Sequence, residues 1–117
     1  MSNEQEQADF ALEQPLTPAV LFWAVSDPTR RKMLETLARN GPTSVADLLG
    51  QFPMSGPAMS RHLGCLEGGG LITRERKDRH QICTAKFDNV LRARQWLNAL
   101  ISISSTSEVG RGTEQRA

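Results

Sequence analysis

Apolar positions along this chain keep a helical rhythm as far as Gly70, switch to a strand-like one, and then return to a helical one. From Pro15 the apolar density rises, and Leu16, Val20, Leu21 and Trp23 predict a short first helix. Asp27-Pro28-Thr29-Arg30-Arg31 predicts a second helix start, because Asp27 can cap the N-terminus and Pro28 in the first turn loses no needed N–H. Met33, Leu34, Leu37 and Ala38 continue at helical spacing until Asn40-Gly41-Pro42. Ser44, with Asp47 three residues on, resembles a capping box with Asp in place of Glu or Gln. Val45, Leu48 and Leu49 then give a buried face to a helix of roughly two turns. Pro53 disfavours helical backbone at Phe52 and so interrupts the run. Ser55 caps the next helix, Pro57 sits in its tolerant first turn, Leu63 and Leu66 face inward, and Gly68-Gly69-Gly70 stops it. Two short helices with a tight break between them make a helix-turn-helix.

Leu71–Arg74 and His80–Thr84 are β-prone runs around a polar turn, Glu75–Arg79, the pattern of a hairpin. A last helix is predicted from about Asp88 to Ile101, with Val90, Leu91, Leu97, Leu100 and Ile101 as its apolar stripe. The expected fold class is mainly α with a small β-hairpin, in the order α-α-α-α-β-β-α. Such a helix-turn-helix followed by a basic hairpin is a winged helix, with the hairpin as wing. The expected organisation is a disordered acidic tail at 1–14, one domain at 15–101, and a disordered Ser/Thr/Gly-rich tail at 102–117.

Charge sharpens this picture once it is divided along the chain. Residues 1–14 carry Glu4, Glu6, Asp9 and Glu13 and no Lys or Arg, so with a net charge of +1 the remainder holds +5. Its densest basic cluster is Arg74, Arg76, Lys77, Arg79 and Lys86. A basic body beside an acidic tail suits a nucleic-acid binder, although solvated surface charge produces the same count. At 117 residues one domain is expected, and a chain this short gains stability from a shared subunit interface. Cys65 and Cys83 form no CxxC pair, and neither a secretory signal nor a long apolar run is present. Reduced thiols, the bacterial cytoplasm and no membrane partner are therefore expected.

Three segments carry a family resemblance: Leu21–Met33 (LFWAVSDPTRRKM), Met54–Leu66 (MSGPAMSRHLGCL) and Gly70–Arg74 (GLITR). Together they resemble the ArsR-type winged-helix repressors of bacteria over residues 16–101, and the SDPTRR form is most similar to small autorepressors that lack metal sites. The resemblance implies a homodimer on a double-stranded DNA operator of partial two-fold symmetry. It also implies a dimer interface of first and last helices, to which Leu16, Val20, Leu21, Val90, Trp96, Leu97 and Leu100 would contribute here.

The candidate DNA-reading residues are Ser55, Gly56, Ala58, Met59, Ser60, Arg61 and His62, at the N-terminal end of the helix after Pro53. Short polar donors and unpaired N–H groups at such an end can approach bases and phosphates. Ser60 and Arg61 are the foremost of them, while Ala58 or Met59 can touch a thymine methyl. Ser55 caps the helix whatever else it does, Met59 shares helical spacing with Leu63 and Leu66 and is equally a core residue, and His62 can serve within the fold. In the wing, Arg74, Arg76, Lys77 and Arg79 are candidates for phosphates or the minor groove. Alternation puts Arg74 and Arg76 on one face and Lys77 and Arg79 near the tip, with solvated charge as the plain alternative.

No metal and no cofactor is expected. The family's C-V-C-D-L metal motif aligns with Ser44-Val45-Ala46-Asp47-Leu48, which lacks both thiolates, and 88–101 holds no His and only Asp88 as carboxylate. His62, Cys65, His80 and Cys83 match no recognisable metal spacing. A redox switch between Cys65 and Cys83 stands against simple packing of two small apolar side chains. No phosphate loop or nucleophile elbow is present, so catalysis is not expected. The alternatives to a repressor are a metal- or redox-responsive relative of the same fold and a winged-helix module that binds only proteins.

Overall fold

Local capping chemistry sets where each helix begins in the computed structural model, which describes residues 17–107. The acidic stretch 1–14, Leu16 and residues 108–117 lie outside the described residues. Helix α1 spans Pro18–Ala24 and α2 spans Pro28–Asn40. The Asp27 carboxylate accepts from the Arg30 N–H at 3.0 Å, and Gly41, at φ 80°, closes α2 by donating to Leu37 O at 2.9 Å. Only glycine adopts that backbone readily. After β1 (Thr43–Ser44), α3 spans Val45–Leu49 and α4 spans Gly56–Gly68. Ser44 Oγ accepts from Asp47 N at 3.0 Å and Ser55 Oγ from Ala58 N at 3.2 Å, so both predicted serine caps are in place.

Strands β2 (Ile72–Lys77) and β3 (His80–Ala85) pair antiparallel with Lys77 opposite His80. The predicted five-residue turn therefore shrinks to Asp78-Arg79, at φ 49° and 75°. A two-residue hairpin of type I′ takes positive φ at both central positions to match strand twist, which explains a conformation that L side chains otherwise avoid. The hairpin is also not alone: β1 pairs with β3, giving a three-stranded sheet in the order β1-β3-β2. A two-residue strand has no alternation to read.

Helix α5 spans Asp88–Ser107, so the expectation that helix ends at Ile101 is corrected. The stripe continues through Ile103, and no Gly or Pro interrupts the chain before Gly110. α3, with five residues, is shorter than expected.

The core collects one apolar face from each helix: Leu21 and Ala24, Met33 and Leu37, Leu48, then Met59, Leu63 and Leu66, with Leu71, Ile72, Cys83 and Ala93 closing it. Each large side chain sealed there is worth about 1.5–3 kcal/mol relative to exposure. α4 thus lies across the middle of the domain with its N-terminal end projecting.

Candidate nucleic-acid interface

The projecting end of α4 is held from behind. Met59, Leu63 and Leu66 are fully buried, which pins one face of the helix and turns Gly56, Pro57, Ser60 and Arg61 to solvent. Met59 is corrected from the candidate set: with no exposed surface it reaches no base. Ala58 and His62 are half-buried at the margins, and Ser55 is exposed with its hydroxyl oxygen engaged in the cap. His62 lies near enough to Asp27 for their charges to interact. The Asp27 carboxyl is held below its usual range, chiefly by the Arg30 N–H it accepts from; desolvation opposes this, and the neighbouring Arg30 charge adds a smaller lowering.

In the wing, Arg76, Lys77 and Arg79 are exposed, whereas Arg74 is corrected. Its Nη2 and Nε donate to Glu67 Oε1 at 2.8 and 3.2 Å, bracing β2 against the last turn of α4. A guanidinium so neutralised is a strut rather than a free phosphate contact. Cys83 stands opposite Arg74 in the ladder and is fully buried; burial pushes its thiol up, with Arg74 opposing. A thiol held protonated in the core is a packing residue and a poor nucleophile. Cys65 is half-buried on α4. Among the described residues no three His, Cys, Asp or Glu side chains gather to hold a metal ion.

The SDPTRR segment has a role that its capping residues alone did not announce. Arg30 Nε donates to Ala24 O at 2.6 Å and Arg31 Nη1 to Val25 O at 2.7 Å, so both arginines cap the C-terminal carbonyls of α1. Arg30 also lies over the Trp23 ring, 5.2 Å from its centroid. The signal was available: paired cations just past a helix end.

A second exposed surface is apolar and belongs to α1 and α5. Trp96 (49% exposed), Leu97 and Leu100 (48%) are open to solvent, and Phe22, Trp23, Leu91, Ile101 and Ile103 are further exposed apolar side chains of the two helices. Phe22 meets Trp96 edge-on, with ring centroids 6.0 Å apart. Leu21 is corrected, since it is sealed in the protomer's own core, while Val20 and Val90 are half-buried. An apolar cleft of about 390 Å³ between α1, α2 and α5 shares Phe22 and Leu97 with this face. No helix among the described residues is long and apolar enough to cross a membrane.

Helix-turn-helix, three-stranded wing and flanking apolar helices define a winged helix-turn-helix protein. The family model for a helix-turn-helix domain matches residues 25–75. The chain is similar to the arsenic resistance transcriptional regulator ArsR1 of Pseudomonas putida, 35% identical over 66 residues, 56% of this chain and 52% of that protein. It is 40% identical over 57 residues to the transcriptional repressor SdpR of Bacillus subtilis, 49% of this chain and 62% of that one. The matched stretches thus span between half and two thirds of these relatives. A crystallised ArsR family transcriptional regulator superposes with a TM-score of 0.69 at 29% identity, over 74% of this chain and 89% of that one. Over these stretches the chain is similar to ArsR-type winged-helix transcriptional regulators, and it shares their fold.

Proposed function

We propose that this protein is a sequence-specific transcriptional repressor that binds a partly palindromic operator as a homodimer in the bacterial cytoplasm. The observation that carries the reading is the exposed N-terminal end of α4, with Ser60 and Arg61 open to solvent while Met59, Leu63 and Leu66 lock the opposite face. Gly56 and Ala58 leave room for close backbone approach, and Ser55 and His62 flank the contact. Arg76, Lys77 and Arg79 supply phosphate or minor-groove contacts that position the domain without reading sequence. The α1–α5 face joins two protomers so that two α4 helices meet successive major grooves about 34 Å apart.

Anisotropy titrations with the DNA upstream of the protein's own gene, a scrambled duplex and a range of salt test this. Binding should weaken steeply with ionic strength. Arg61→Ala should cost about 1–3 kcal/mol on the operator and little on the scrambled duplex. No retention on DNA at low salt would overturn the reading in favour of a protein-binding module.

A further inference from the structure

Asn89, in the first turn of α5, is the only polar side chain buried from solvent among the described residues. Its Nδ2 donates both hydrogens, to Thr17 O and to Gly69 O, each at 2.9 Å. Thr17 is the residue ahead of α1 and Gly69 the C-cap of α4, so one amide group ties three helices together. Asn89 Oδ1 accepts from none of the described residues. Burying an unpaired acceptor is a desolvation cost that a leucine of the same branching would avoid. What leucine cannot do is hold two carbonyls in a fixed relation, and a buried polar group retained at a cost is a candidate for conformational specificity.

Gly69 marks the same junction from the other side. A Cβ there would lie 2.7 Å from Ala24 Cβ and 3.0 Å from Val20 O, so the end of α4 seats on α1 at a distance only glycine permits. Within the glycine run read in the sequence as a helix stop, Gly69 is therefore also a close-packed seat. Gly70 N–H donates to Glu67 O and Leu71 N–H to Leu66 O, both at 3.0 Å, and secure it further.

We infer that Asn89 and Gly69 form a rigid joint between the α1–α5 face and the DNA-reading helix, and that this joint sets the half-site separation the dimer accepts. The inference rests on the repressor reading above and adds the residues that determine operator geometry. α4 has 13 residues, so its reading end stands about 20 Å from the joint. A tilt of about 10° there moves the reading end by some 3 Å on the same helical geometry. That approaches the rise of one base pair, about 3.4 Å. Two-fold symmetry applies the displacement in both protomers.

In vitro selection from a randomised duplex pool tests this with the full-length wild type, Asn89→Leu and Gly69→Ala. Circular dichroism and sedimentation first establish that each is folded and dimeric. Wild type should enrich paired half-sites at one separation. The variants should enrich the same half-site sequence with the separation shifted by about one base pair or spread over several. They should bind the wild-type site about 10-fold more weakly yet an isolated half-site within about 2-fold. If Asn89→Leu does not fold, Asn89→Ser, which loses both N–H donors in a smaller side chain, and Gly69→Ala carry the comparison. Folded, dimeric variants that keep the wild-type separation overturn the joint. A wild-type pool with no enriched sequence overturns the repressor reading itself, and the joint with it.

Discussion

The N-terminal end of α4 with its wing and the α1–α5 face are both open to solvent, and they have opposite chemistry. The first offers Ser60, Arg61, Arg76, Lys77 and Arg79; the second offers Phe22, Trp23, Trp96, Leu97, Leu100 and Ile103. Charged groups are well solvated alone and gain from a polyanion chiefly by counterion release. A contiguous apolar face is unfavourable in water until something covers it. Equal exposure thus means different things: one surface is well solvated as it stands, the other carries a hydration cost that burial would remove. Salt should act on the first and dilution on the second.

Substitutions can break that contrast, beginning with the largest effect. Met59→Ala acts behind the reading surface, so it should lower stability by about 2–5 kcal/mol in urea unfolding. A loss below about 0.5 kcal/mol, the range of an exposed site, would return Met59 to the DNA-facing set. Leu100→Asp should weaken self-association by at least ~2 kcal/mol in sedimentation equilibrium. An unchanged association constant would show that the apolar face is not the subunit contact.

Smaller effects sharpen the same division. Arg79→Gly removes a side chain held at φ 75° and should raise stability by about 1 kcal/mol. It should also reduce the salt slope of DNA binding by about 1, since one phosphate contact is lost; a slope equal to wild type would leave Arg79 a solvated charge. The smallest effect concerns Asp27, whose carboxyl ionises more readily folded than unfolded. Its contribution is complete above about pH 4 and is lost as pH falls through the folded-state value. Asp27→Asn, which still caps α2, should flatten the acid limb of stability against pH; an unaltered limb would refute the linkage.

How much was legible follows from how far each interaction reaches along the chain. The caps at Asp27, Ser44 and Ser55 span three residues each, and all three were readable from neighbours. The order of helices and hairpin followed from the change of period. β1 was not legible, because its partner β3 lies far along the chain and its two residues carry no pattern. Arg74 read as a free cation because nothing local shows that β2 folds back beside Glu67. Asn89 was invisible for the same reason: its bonded carbonyls are 72 and 20 residues away. Alternation placed Arg74 and Arg76 together correctly, yet only the tertiary fold distinguishes the one that is paired from the one that is free.

The Trp23–Arg30 stack and the Phe22–Trp96 edge contact have an optical consequence. The chain has two tryptophans and no tyrosine, and both indoles sit on the α1–α5 side. Near-ultraviolet emission from this protein therefore originates almost wholly where subunits would meet, while the end of α4 and the wing contain no aromatic chromophore apart from the histidines. Without any label, the colour of its fluorescence should report contacts made at the α1–α5 face and stay nearly blind to contacts at the end of α4 and the wing.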